Sequence, residues 1–135
     1  MSYKDRFIEM SKEVFKENLE EKRSKEKARN IIADYFNDIC NSLKNEEQVA
    51  GRNLKINIGE NQWSIELREL SKLSVHFSEN KITVLVKPGY RGYEDTLQYE
   101  EGKFFSSQKG YELSEHLLDV YLEEVFDSIL TQLVK

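Results

Sequence analysis

The chain has 135 residues, of which 39% are apolar and 33% charged, with a mean hydropathy of −0.68. Patterned apolar residues at this length suit one domain with a self-sufficient core and exclude disorder, which goes with low hydrophobicity and no periodicity. A net charge of −5 disfavours nucleic acid and anionic membrane surfaces as partners, because both need a basic surface.

Residues 3–44 are expected to be helical. Ser2, with Asp5 three residues on, makes a start resembling a capping box. Phe7, Met10 and Val14 share one helical stripe, with Ile8, Phe15 and Leu19 beside it. Residues 20–27 contain no apolar side chain; Ala28, Ile31, Ile32, Tyr35, Phe36, Ile39, Cys40 and Leu43 then resume in phase with the first stripe. No proline or glycine precedes Gly51, which favours a continuous or mildly bent helix over two helices broken near Ser24. The polar stretch 41–53 reads as the exit from the helix.

Residues 53–107 alternate with period two and read as a β-meander. Three stretches share one plan: Ile58-Gly59-Glu60-Asn61-Gln62-Trp63, Phe77-Ser78-Glu79-Asn80-Lys81-Ile82 and Tyr99-Glu100-Glu101-Gly102-Lys103-Phe104. Each centres on Asn or Gly, the residues that best tolerate the positive φ of a two-residue hairpin loop. The turns predict Ile58 opposite Trp63, Ile56 opposite Ile65, Phe77 opposite Ile82, Val75 opposite Val84, and Tyr99 opposite Phe104. The same pairings align the apolar faces, so turn chemistry and parity agree. Leu97 opposite Ser106 is a poorer match and suggests an edge strand. Joining the first two hairpins with their apolar sides aligned requires an odd-length connection or a bulge, expected at residues 70–73. Lys55, Asn57, Ser64, Glu66, Ser74, His76, Thr83, Thr96 and Gln98 fall on the opposite face, polar enough to stay in water.

Residues 112–134 are expected to form the last helix, with apolar pairs from Leu117/Leu118 to Leu133/Val134. The whole reads as a single α+β domain over 1–135, a two-layer sandwich. It has a long N-terminal helical segment, an antiparallel meander of about six strands and a C-terminal helix on the same sheet face. Both helical segments are expected on the face containing Trp63, Val75 and Val84.

Chemistry is harder to place. His76 and His116 have no Cys, His or Asp at ligand spacing, and surface histidine is the commoner use of each. Cys40 falls in phase with Ile32 and Phe36 and reads as a small core residue. Glu112, Glu115, Asp119, Glu123 and Asp127 line one side of the last helix; such a row is usually a solvated face, and otherwise a docking surface for a basic partner. Lys22, Arg23, Lys25, Lys27 and Arg29 are interspersed with glutamates, which favours pairing such as Glu21 with Lys25 over an anion site. Asp95 shares parity with the buried face, so it needs either a later strand start or a partner such as Arg91.

The connection holding Lys87, Tyr90, Arg91 and Tyr93 departs from the minimal-turn plan. It gathers residue types that concentrate binding energy, and these four are the candidate partner-binding residues. No nucleotide loop, nucleophile elbow, zinc spacing or calcium loop is present, and no catalytic residue, metal or cofactor is assigned. The function expected is a noncatalytic protein-binding module, adaptor, chaperone or immunity-like, with another protein as partner. A homodimer through edge strands or helices is compatible with it. The alternative is a small-ligand carrier or an enzyme with a pocket between sheet and helices, Tyr93, Asp95 and Tyr99 lining its mouth. One cysteine, an N-terminus without a signal-peptide core and no long apolar run suggest a cytoplasmic protein.

Overall fold

In the computed structural model, which describes residues 2–78 and 81–134, the Ser2 hydroxyl accepts a hydrogen bond from the Asp5 amide at 3.3 Å. That cap opens α1 (Tyr3–Val14), followed by α2 (Lys16–Ser42) and the short α3 (Lys44–Ala50). The joints at Phe15 and Leu43 are bends. Phe15 donates to the Ser11 carbonyl and accepts from Leu19, both at 3.1 Å; Leu43 bonds likewise to Ile39 at 3.0 Å and Glu47 at 2.9 Å. No break occurs at Ser24, which lies inside α2.

Helix continues beyond residue 44, further than the polar stretch 41–53 suggests. The Glu47 carboxylate accepts the Ile56 amide at 2.8 Å, so α3 is fixed to the neighbouring strand by a polar bond and needs no apolar face. The bond also occupies a donor on an edge strand that would otherwise invite pairing. Gly51, at φ +59°, ends the helix in a region that glycine favours.

Six strands follow: β1 (Leu54–Ile58), β2 (Gln62–Leu67), β3 (Ser71–Ser78), β4 (Lys81–Lys87), β5 (Tyr93–Glu100) and β6 (Lys103–Ser106). They form one antiparallel sheet in sequential order, with β1 and β6 at the edges. All the expected registers are present, from Ile58 opposite Trp63 to Tyr99 opposite Phe104. The Glu79-Asn80 turn itself lies outside the described residues, but Ser78 pairs with Lys81 around it. Parity between β2 and β3 is kept by an odd connection, as expected, but it lies earlier than residues 70–73. Arg68, Glu69 and Leu70 make the turn, Leu67 pairs with Ser71, and Arg68 and Glu69 both have φ +58°.

Helix α4 (Glu115–Val134) packs on the same face as α2, and it starts three residues later than its apolar pattern suggests. Residues 112–113 are held by the sheet edge instead: Glu112 bridges to Phe105, and the Leu113 amide donates to the Phe104 carbonyl at 2.8 Å. The Ser114 hydroxyl then accepts from the Leu117 amide at 3.3 Å and caps the helix. No helix among the described residues is long and apolar enough to cross a membrane.

One core joins the layers: Trp63, Leu73, Val75, Val84 and Val86 from the sheet against Ile32, Phe36, Leu117, Leu118 and Tyr121 from the helices. The N-terminal segment joins it only from Ala28 onward, and no residue of α1 is buried. Length explains why. Helix α2 lies along the strands, with Ser24 by Gly102 at the hairpin-turn end and Leu43 by Leu54 and Leu67 at the other. Some forty helical residues span roughly 60 Å at 1.5 Å each, whereas strands of at most 8 residues are under about 30 Å long. The first half of the helical segment therefore overhangs the sheet. Phe7, Met10 and Val14, expected on the core, are exposed.

Candidate functional site

The connection between β4 and β5 holds two of its four candidate residues in structural bonds. The Lys87 ammonium donates to the Leu70 carbonyl at 2.7 Å, while the Ser71 hydroxyl donates to the Pro88 carbonyl at 2.6 Å. Gly92 passes so close to β4 that a Cβ there would lie 2.5 Å from the Val86 carbonyl oxygen. The Tyr93 hydroxyl donates to Glu124 on α4 at 2.6 Å, and Lys109 reaches the same carboxylate at 3.1 Å. Burial first, and the Glu124 bond second, push the Tyr93 hydroxyl above its usual pKa. For Lys109 burial acts downward, but its bonds to Tyr93 and Glu124 outweigh it and the net shift is upward. That leaves Tyr90, 91% exposed, and Arg91, also exposed, as the two free to meet a partner. The fold does not gather the four residues into one site.

Asp95 is 0% exposed and points into the core, as its parity requires. Its partners come from β6, the following turn and α4. Ser106 and Tyr121 donate their hydroxyls, and the Gln108 amide donates at 3.0 Å; Arg91 is not among them. Ser106 Oγ in turn accepts the Lys109 amide at 2.9 Å. Desolvation, reinforced by Asp95, raises the Tyr121 hydroxyl well above the ordinary tyrosine range. Three donors on one buried carboxylate are what such a group needs to persist in a core. The cluster ties β5, β6 and α4 together, and with no exposed surface Asp95 cannot line a pocket mouth.

The acidic row on α4 is divided. Glu112, Glu115 and Asp119 meet Asp34 and Asp38 of α2 around a groove of about 700 Å³, over Ile31, Ile39, Leu113 and Leu122; Glu123 and Asp127 lie outside it. The Tyr35 hydroxyl donates to Asp119 at 2.5 Å across this groove. Burial, then Asp119, raises its pKa beyond the usual tyrosine range. Among the described residues no group of three or more His, Cys, Asp or Glu is placed to hold a metal ion.

His76 is exposed at the other end of the sheet, beside Lys22, Lys25 and Arg29 around a groove of about 550 Å³. Lys25 pairs with Glu21 at 3.2 Å, the expected i,i+4 partner. Arg29 lies over the Phe77 ring, 4.8 Å from its centre, with Nε buried and without an acceptor. The ring face thus holds this cation. His116 packs edge-on against Tyr111, and Cys40 is half-buried beside the core.

One surface without an assigned role is apolar. Tyr3, Phe7, Ile8, Met10, Val14, Phe15 and Leu19 are all exposed, Phe7 at 60% and Val14 at 70%. Sequence periodicity marked all of these but Tyr3, and assigned them to the core. The signal that could have moved them outward was the span of the helix against the length of the strands it lies along. A second apolar surface, a groove of about 500 Å³, lies between α2, β1, β2 and α4, lined by Leu43, Leu54, Leu67, Leu122, Phe126 and Leu130 among others.

No family model and no curated protein matches the chain. Among solved structures, a frataxin from Psychromonas ingrahamii is similar at 10% identity and a TM-score of 0.38, over 74% of this chain and 90% of that one. At that score the likeness carries no argument.

Proposed function

We propose that this chain is a noncatalytic protein-binding module of the adaptor, chaperone or immunity-like kind, working in the cytoplasm and docking through its N-terminal helix. One observation carries the reading: seven large apolar side chains exposed along residues 3–19. Four of them, Tyr3, Phe7, Met10 and Val14, share one stripe, and exposed apolar surface of this kind marks interaction sites. Helix stability points the same way. Tertiary packing supplies most of a helix's stability, and none of the 12 residues of α1 is buried. A partner that covers the apolar stripe would supply the missing packing. The lone, half-buried Cys40 supports a reducing compartment.

The small-ligand alternative has less behind it. Trp63, Leu73, Val75, Ile32, Phe36, Leu117 and Tyr121 fill the space between sheet and helices, and the grooves open at the rim of that core.

A photo-crosslinking residue in place of Met10 tests the proposal in cells. A discrete protein adduct is expected, lost when Phe7→Glu and Val14→Glu are introduced together. Both positions are exposed, so the fold should survive the change. Absence of any adduct, or adducts indifferent to the two charges, would contradict the proposal.

A further inference from the structure

Tyr3, Phe7, Met10 and Val14 are spaced four, three and four residues apart, which is the a/d repeat of a helix that pairs with another helix. This seam runs the length of α1 and stops at the Phe15 bend; the next two positions in the repeat are Glu17 and Glu21. The other apolar row, Ile8, Phe15 and Leu19, stands roughly 110–150° round the helix and takes no part in the seam.

We infer that the occupant of this seam is α1 of a second copy of the chain, laid antiparallel; the inference rests on the docking role proposed for α1. The charges beside the seam choose both partner and direction. With Phe7 and Val14 at a and Tyr3 and Met10 at d, the flanking g positions are Arg6 and Glu13, and the e positions are Lys4, Ser11 and Asn18. A parallel pair sets g against e of the other helix, so Arg6 would meet Ser11 and Glu13 would meet Asn18, with no ion pair. An antiparallel pair sets g against g, and Arg6 of each copy meets Glu13 of the other, twice by symmetry. It also opposes the two helix dipoles favourably. One sequence thus supplies both halves of a self-complementary surface.

Area sets the strength. Two aromatics at roughly 150–250 Å² each, with Met10 and Val14, amount to about 500 Å² per copy, against the ~800 Å² per partner of a standard interface. An interface of that size suits a reversible dimer.

Sedimentation velocity on the full chain, across a dilution series, tests the pairing. The mass is expected to rise with concentration from 16.0 kDa to twice that value. Phe7→Glu with Val14→Glu should hold the chain monomeric throughout, while Val49→Glu, on exposed apolar surface elsewhere, should change nothing. Arg6→Glu should weaken dimerisation about three- to tenfold, and Arg6→Glu with Glu13→Arg should restore it. A chain that stays monomeric at every concentration overturns the inference, as does a dimer indifferent to the seam charges or to the swap. A monomer that still gives a Met10-site adduct with a different protein overturns the second copy alone and leaves the binding-module reading standing.

Discussion

The two halves of the N-terminal helical segment carry the same kind of apolar pattern and meet opposite fates. Ile32 and Phe36, in the second half, are 0% exposed against the sheet, while Phe7 and Val14, in phase with them, stand in solvent. Periodicity reports that a helix has an apolar face; it does not report what covers that face. Here the sheet covers the stripe from Ala28 onward and ends before it reaches Val14. The uncovered half is the part of the molecule with surface to offer a partner.

The largest effect should come from testing this contrast directly. Phe36→Ala is expected to destabilise by about 3–5 kcal/mol, the usual cost of a core phenylalanine. Phe7→Ala should fall within about 0.5 kcal/mol of wild type in urea unfolding at low micromolar concentration. Equal losses at the two positions would break the comparison, because they would require α1 to be covered within its own chain.

A second contrast separates the two tyrosine–carboxylate contacts between β5 and α4. Tyr121→Phe leaves the buried Asp95 carboxylate one donor short and should cost about 1.5–3 kcal/mol. Tyr93→Phe removes a bond to the part-exposed Glu124 and should cost under about 1 kcal/mol. Chemical denaturation of both variants decides whether the buried cluster is the stronger tie.

A third effect is one of pH. Tyr35, Tyr93 and Tyr121 all have hydroxyl pKa values raised above the 10.0 of a free tyrosine. The folded chain therefore keeps protons that the unfolded chain releases. Stability from these groups is intact below pH 10 and falls as pH climbs beyond it, by up to about 1.4 kcal/mol per unit for the buried Tyr121 and by less for Tyr35 and Tyr93, which solvent screens. Alkaline unfolding followed at the tyrosinate absorbance should show this slope, and Tyr121→Phe should flatten it. An unchanged slope would mean that Asp95 and burial do not hold the Tyr121 proton.

The sheet was legible in sequence because two independent signals, turn residues and parity, had to agree. They set Trp63 against Ile58 and required an odd connection after Leu67. Asp95 was legible as inward but not as satisfied. Its donors sit 11, 13 and 26 residues away, at distances no local pattern links. Helix ends failed where polar bonds replaced apolar packing, at Glu47 and at residues 112–113. The candidate residues Lys87, Tyr90, Arg91 and Tyr93 were chosen by type. Type does not reveal that Leu70 and Glu124 occupy two of them. The docking helix was visible as a stripe, yet its exposure follows from where along the strands the helix is laid, which only the folded chain shows.

Amide hydrogen exchange, measured on the full chain across a dilution series, tests most directly whether α1 is bare in one copy and covered by another. Amides of residues 28–39 should hold near-global protection at every concentration, while those of residues 7–14 should be weakly protected when dilute and gain protection as concentration rises. Strong protection of residues 7–14 that does not change with concentration would contradict the overhanging helix, and none at any concentration would contradict its pairing.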